Sequence, residues 1–195
     1  GDSVGVAWSD HDELPAVAND GYYFSVIGAG DDPATEANWS LEKLPTLLPS
    51  ASESADDYLN LKATSDGTVY MVSKTGKDTA ACATNKQVPL IEFFRRTTAG
   101  TWSPHLVGTV GDCNTRPQLV VSEELDTVWV FLTSPFSSGS IYVKSAPLSG
   151  PDELVFRGTE NQTIQRGAPF IRSATETAID DPSTTKQVVT AASDI

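Results

Sequence analysis

A β-hairpin pattern that recurs about every 60 residues constrains this chain more than any other feature of its sequence. Residues 68–72 (TVYMV) line up with residues 127–131 (TVWVF) at an offset of 59, and residues 3–7 (SVGVA) take the same place 65 residues before the first of these. Each period holds about four strand signals, which is the content of one β-propeller blade. The repeat therefore predicts four-stranded sheets that succeed one another along the chain.

Helical periodicity is nearly absent, and short β-branched and aromatic runs are separated by Gly, Pro, Asp and Asn. Asp-Gly and Ser-Gly turns between such runs are typical of antiparallel hairpins, because Gly supplies the positive φ that a tight turn needs. We therefore predict an all-β fold, with the segment 36–44 extended and anchored by Trp39. The predicted strands are residues 4–8, 22–27, 58–63, 68–73, 89–95, 102–107, 118–121, 127–133, 140–145 and 153–156.

The repeat also sets the predicted domain organisation, in which residues 1–195 form a single β-propeller segment. Its parts are an incomplete blade at 1–50, whole blades at 56–110 and 115–160, and a closing region at 167–195 that ends in a first strand over 186–194. About three blades are too few to close a ring, since propellers use about four to eight. We expect the remaining blades to come from another chain or from a second copy.

The net charge of the chain limits the classes of partner that we expect it to bind. The chain has 13 Lys and Arg against 26 Asp and Glu, a net charge of −13. A surface this acidic repels phosphate backbones and anionic lipids, so neither nucleic acid nor membrane insertion is expected. The first residues do not form a signal segment, which indicates that a signal was removed or that the chain is a piece of something longer.

Several segments together resemble a family of secreted bacterial β-propellers with sialidase-like repeats and about six blades. They are residues 4–9, 22–26, 56–62, 66–67, 69–70, 74–75, 89–91, 112–117, 139–142, 167–172 and 183–187. The chain resembles the C-terminal half of these proteins, which implies a secreted or cell-surface location and an uncharacterised role. It departs from true sialidases, because residues 65–70 (SDGTVY) lack the spacer between Asp and Gly of the Asp-box.

Two cysteines, Cys82 and Cys113, leave two interpretations open. They form one disulfide, as fits a secreted domain, or they remain two buried thiols. The repeat places both in neighbouring loops at one propeller face, residues 76–88 and 110–114, which favours the disulfide.

The same face is the predicted ligand site, because first strands begin there and second strands end there. This puts Asp57, Arg116 and Lys186 at the mouth of the central channel, with Asp10 and Lys74 beside them. Such a mixed ring could hold a sugar, carboxylate or phosphate through charge-assisted hydrogen bonds. The alternative is that these charges pair with one another and close the channel.

The sequence predicts no catalytic residue set and no metal site, since it lacks a phosphate loop, a nucleophile elbow and a zinc motif. No cofactor is expected. Calcium at the acidic pairs 31–32, 56–57 and 180–181 is an open alternative to solvated turns. We expect a non-catalytic module that recognises or scaffolds glycan or protein partners. The competing hypothesis is a glycoside-active propeller using carboxylates such as Asp57 and Asp10.

Overall fold

The described part of the chain is all-β, as predicted, and its strands pair antiparallel. The computed structural model describes residues 3–10, 20–49, 55–56, 58–77, 87–134, 140–149, 163–165, 171–173 and 192–194. The helical segments within these residues are single 3-10 turns, Glu36–Asn38 and Val110–Asp112.

Three antiparallel sheets succeed one another along the chain. Sheet 1 has three strands, β1 (Val4–Asp10), β2 (Gly21–Ile27) and β3 (Ser40–Lys43). Sheet 2 has four: β4 (Leu59–Ala63), β5 (Val69–Lys74), β6 (Pro89–Arg96) and β7 (Trp102–Thr109). Sheet 3 comprises β8 (Thr115–Ser122), β9 (Thr127–Ser134), β10 (Ser140–Pro147) and β11 (Thr163–Gln165). A separate pair joins β12 (Ile171–Ser173) to β13 (Ala192–Asp194).

The predicted strands coincide with β1, β2 and β4 to β10, with small differences at their ends. The segment 36–44 combines a 3-10 turn with β3, so its predicted extended conformation holds only for its second half. The strand predicted at 153–156 lies outside the described residues, and the fourth strand of sheet 3 is found at Thr163–Gln165. The predicted first strand over 186–194 contains β13, which pairs with β12.

Sheet 2 lies between the other two sheets, because its strands are apolar on both faces. Every residue of β5 is buried. Val69 and Met71 on one face pack with Tyr22 and Phe24 of sheet 1. The opposite face packs against sheet 3, and this second core includes Tyr70, Val72, Phe93, Leu119, Val128, Val130 and Leu132. Alternation along a strand sends consecutive side chains to opposite faces, so one strand serves two cores.

Polar contacts fix how sheet 2 and sheet 3 stack. The Asn60 Oδ1 atom accepts a hydrogen bond of 3.1 Å from the Leu119 N–H, which ties β4 to β8. The Glu123 carboxylate accepts from the N–H and hydroxyl of Ser65 at 2.7 and 2.5 Å, joining the turns at one end of these strands. The first strands of the two sheets therefore lie side by side.

The turn from β4 to β5 illustrates how the local sequence sets the hairpins. Gly67 has a φ of +91°, a conformation that residues with a Cβ rarely adopt. The Asp66 carboxylate accepts from the Thr68 N–H at 2.9 Å and from the Thr64 hydroxyl at 2.7 Å. These hydrogen bonds, with that from Thr68 first, lower the pKa of Asp66. The turn is thus closed by its own side chains.

Candidate functional site

The structure brings two of the predicted site residues, Lys74 and Arg116, to one aromatic ring. The Lys74 Nζ atom lies 5.6 Å from the centre of the Tyr58 ring, and the Arg116 Cζ atom lies 5.2 Å from it. Tyr58 immediately precedes β4, and its carbonyl accepts from the Lys74 N–H at 3.1 Å. Cations at these distances are attracted to the ring face. We call Tyr58, Lys74 and Arg116 the Tyr58 cluster.

Arg116 owes its position to an irregular start of β8. The pairing of β8 with β9 shifts register between Thr115 and Gln118, as in a β-bulge. Arg116 has a φ of +48° in the left-handed region, and Cys113, three residues earlier, has a φ of +54°. Residues with a Cβ occupy this region at a cost, and such strain concentrates at functional sites. The bulge therefore turns Arg116 out of the regular strand and toward Tyr58.

A buried polar network fixes the position of Lys74. Its side chain is almost fully buried and forms an ion pair with the Asp56 carboxylate. The Tyr22 hydroxyl donates to the Lys74 carbonyl and accepts from the Asp56 N–H at 2.9 Å. Burial raises the pKa of Tyr22 well above its usual range, so this hydroxyl stays protonated. Lys74 thus belongs to the join between sheet 1 and sheet 2, and Arg116 is the more accessible cation of the cluster.

The structure describes only some of the other residues that the sequence predicted for the site. Asp10 is exposed at the end of β1, and it lies opposite Gly21, the residue that precedes Tyr22. Asp57 and Lys186 lie outside the described residues. Cys113 is disulfide-bonded. Its predicted partner Cys82 also lies outside them, so the pairing of Cys82 with Cys113 stays a prediction.

Sequence reasoning missed Glu92, a fully buried carboxyl group on β6 that contacts the segment following β3. Its oxygens accept from the Thr46 hydroxyl at 3.0 and 3.1 Å and from the Leu47 N–H at 2.6 Å. Burial raises the pKa of Glu92 to about 7, although these hydrogen bonds oppose the shift. A signal was present in the sequence, because Glu92 interrupts the apolar run 90–94 (LIEFF).

An open cleft of about 450 Å³ lies between sheet 1 and sheet 2, at the end of β5 away from Lys74. Phe24, Val26 and Leu61 form apolar parts of its wall. Asp66 is the one carboxylate among the described residues that line it, and its pKa is lowered as described above.

The described residues contain no group of three or more His, Cys, Asp or Glu side chains that could hold a metal ion. In the acidic pair 31–32, Asp32 serves a turn, since its carboxylate accepts from the Ala34 N–H at 3.0 Å and from the Thr35 hydroxyl at 3.1 Å. Asp56 pairs with Lys74, and the pair 180–181 lies outside the described residues. None of the helical segments in the described part of the chain has the length and apolar character that a bilayer crossing requires.

The chain matches no protein-family model, no curated protein and no solved structure.

Proposed function

We propose that this chain is a non-catalytic β-propeller module that recognises or scaffolds glycan or protein partners outside the cell. The Tyr58 cluster carries the proposal, because a strained bulge holds Arg116 over an aromatic ring. An arginine binds carboxylate or phosphate groups through paired hydrogen bonds, and a tyrosine offers an apolar face with a polar rim. A glycan that carries a carboxylate fits this pair of side chains, because the carboxylate binds the Arg116 guanidinium.

The outer face of sheet 1 supports the scaffolding part of the proposal. Val4 and Val6 are 59 % and 46 % exposed, whereas the repeat-equivalent Val69 and Met71 of sheet 2 are 9 % and 0 % exposed. In sheet 3 the equivalent Val128 and Val130 are both fully buried. Positions that form a sheet-to-sheet core in two repeats are thus open in the first. Further sheets, from another chain or from a second copy, would cover them in a complete ring of about six.

The alternative, a glycoside-active enzyme, requires two accessible carboxyl groups about 5–10 Å apart, one of them with a raised pKa. Glu92 has the raised pKa, but it is fully buried, and both its oxygens accept hydrogen bonds from Thr46. Asp66 faces the cleft, but its pKa is lowered, which makes it a poor general acid. Neither Glu92 nor Asp66 therefore supports hydrolysis.

A glycan array with acidic and neutral oligosaccharides, followed by calorimetric titration of the hits, tests the proposal. We expect binding of carboxylate-bearing glycans that Arg116→Asn weakens at least about tenfold, since asparagine tolerates the left-handed conformation but lacks the cation. Lys43→Gln is the matched control, because Lys43 also lies near a tyrosine ring, at 5.4 Å from that of Tyr23. An empty array together with the release of reducing sugar would contradict the proposal.

Light scattering on the purified chain tests the source of the further sheets. Completion by a second copy predicts a mass above the 20.8 kDa of one chain. A well-folded monomer at every concentration would exclude the second copy.

A further inference from the structure

Residues 45–47, which follow β3, form a cover over the Glu92 carboxyl group. Glu92 lies on β6 and is fully buried, whereas Pro45 is exposed and Leu47 is 38 % exposed. Pro45 and Pro49 have no backbone N–H, so neither can donate a hydrogen bond that would fasten this segment to a sheet. The carboxyl group therefore lies directly beneath a surface segment that has no strand pairing of its own.

Two residues of the cover fasten it to sheet 2 through Glu92. The Leu47 N–H donates to the Glu92 Oε1 atom at 2.6 Å, and the Thr46 hydroxyl lies 3.0 and 3.1 Å from the two carboxyl oxygens. The Leu48 N–H donates back to the Thr46 Oγ1 atom at 3.1 Å. That last hydrogen bond lies within the segment, so it does not depend on Glu92.

The residue before the cover is anchored independently of Glu92. The Leu44 N–H donates to the Tyr22 carbonyl at 2.9 Å, and the Leu44 side chain belongs to the core that includes Phe94. Leu47 is already partly exposed, so lifting residues 45–47 away from Glu92 exposes little additional apolar surface. A local opening of this kind costs less free energy than global unfolding.

The Glu92 carboxyl group has neutral donors but no ion pair within the described part of the chain. An ionised carboxylate offers about four acceptor positions, and the Thr46 hydroxyl and the Leu47 N–H fill two of them. The single hydroxyl proton of Thr46 serves only one carboxyl oxygen at a time, so the other oxygen can carry the proton of a neutral Glu92. The geometry thus suits the protonated group, because an unpaired buried charge is costly.

The neighbouring strands place neutral groups beside Glu92. Ser73 of β5 and Leu106 of β7 lie opposite it. The Tyr22 hydroxyl of β2 stays protonated, since burial chiefly raises the pKa of Tyr22 and the charge of Glu92 adds a smaller contribution.

Charged side chains of the adjoining elements pair with one another and not with Glu92: Lys74 with Asp56, and Arg96 with Glu42. His105 of β7 contacts Phe93, which belongs to the core on the opposite face of sheet 2. Ionisation of Glu92 would therefore leave an uncompensated charge beneath residues 45–47.

We propose that Glu92 and residues 45–47 form a pH-operated latch, in which the cover closes over the neutral carboxyl group and opens more often when the group loses its proton to water. Opening lets water solvate the carboxylate. The latch concerns the connection that follows sheet 1 and uses neither the Tyr58 cluster nor a glycan, so it goes beyond the function proposed above.

The direction of the pH effect follows from the two states of the latch. Burial in the closed form raises the pKa of Glu92 to about 7, and in the open form the carboxyl group returns toward its ordinary value of 4.5. The open form therefore loses its proton first as pH rises, and opening becomes more favourable between these two values. Above the higher value the gain is complete.

Amide hydrogen exchange of the full chain, followed by NMR from pH 5 to pH 8, tests the latch at the Leu47 N–H. After correction for the intrinsic exchange rate, we expect the equilibrium constant for opening to rise at least about tenfold over this range. Low concentrations of urea should accelerate exchange of the buried Val72 amide of β5 more than that of Leu47, since local opening exposes little surface.

Glu92→Gln cannot ionise, and it keeps an acceptor for the Leu47 N–H, so it should abolish the pH dependence of the opening constant. Glu36→Gln is the matched control, because Glu36 is an exposed carboxylate of the 3-10 turn before β3, and it should behave as the parent chain does. The urea comparison needs only the parent chain, so the test stands even where Glu92→Gln fails to fold.

Three results would overturn the latch. They are an opening constant at Leu47 that does not change from pH 5 to pH 8, an equal rise in Glu92→Gln, and exchange at Leu47 that is as sensitive to urea as exchange at Val72. The last result would mean that Glu92 acts only on global unfolding.

Discussion

At the scale of single residues, two glutamates have opposite pKa shifts: Glu42 links β3 to sheet 2, and Glu92 of β6 binds the segment that follows β3. Glu92 is buried and accepts hydrogen bonds from neutral donors, so burial raises its pKa to about 7. Glu42 accepts two hydrogen bonds from Arg96 and one of 2.6 Å from the Trp102 Nε1 atom. The hydrogen bond from Arg96 is the main cause that lowers the pKa of Glu42. Glu92 is therefore protonated more readily than an ordinary glutamate, and Glu42 less readily.

Stability should decrease as pH rises because of Glu92. Between pH 4.5 and about 7 the folded chain retains a proton that the unfolded chain has lost, so ionisation opposes folding across this window. The expected decrease is about 3 kcal/mol, complete above the folded pKa. Urea unfolding at pH 4 and pH 8 measures it. Glu92→Gln keeps an acceptor for the Leu47 N–H and should remove this part of the pH dependence. An identical pH dependence in the variant would refute the assignment.

Glu42→Ala should lower the free energy of unfolding by about 1–2 kcal/mol, because it leaves Arg96 and Trp102 without their shared acceptor at a partly buried site. The matched control is Glu36→Ala, an exposed residue of the 3-10 turn Glu36–Asn38, which should change stability by less than about 0.5 kcal/mol. Chemical denaturation of both variants at pH 7 provides the comparison. Equal effects would show that Glu42 adds nothing beyond its surface charge.

At the scale of elements, the strands were predictable and the contacts between them were only partly so. Runs such as residues 127–133 (TVWVFLT) fix a strand through β-branched and aromatic residues alone. The alternating direction of antiparallel strands was enough to place Lys74 and Arg116 at the same end of neighbouring strands. It did not reveal that Asp56 pairs with Lys74, or that Tyr58 lies near both cations, because these contacts depend on side-chain direction and on the bulge at Arg116.

Gly5 gives β1 a position without a side chain where the Phe24 ring packs against the backbone. A Cβ on Gly5 would lie 2.6 Å from the Phe24 ring, closer than real contacts allow. Gly5→Ala should therefore destabilise sheet 1 by about 1–3 kcal/mol through overpacking. Phe24→Leu should relieve the clash, so a double-mutant cycle should give a coupling energy of at least about 1 kcal/mol. Additive effects of the two substitutions would mean that Phe24 does not pack on β1 at Gly5.

At the scale of the whole molecule, three sheets of one repeat stack in chain order, with sheet 2 buried on both faces. The repeat in the sequence predicted this succession. Which faces remain open follows from packing, and the outer face of sheet 1 is open at the positions that are core elsewhere. An exposed apolar sheet face favours association, which is why we propose a module that works within a larger assembly.

Alanine substitution at three repeat-equivalent positions, Val6, Met71 and Val130, tests the stacking most directly when the free energy of unfolding is measured for each variant of the isolated chain. We expect losses of about 2–4 kcal/mol for Met71→Ala and about 2 kcal/mol for Val130→Ala, because both side chains are fully buried between sheets. Val6→Ala should lose less than about 1 kcal/mol, since Val6 is 46 % exposed. A Val6→Ala loss as large as that of Met71→Ala, or small losses at all three positions, would contradict the stacked arrangement.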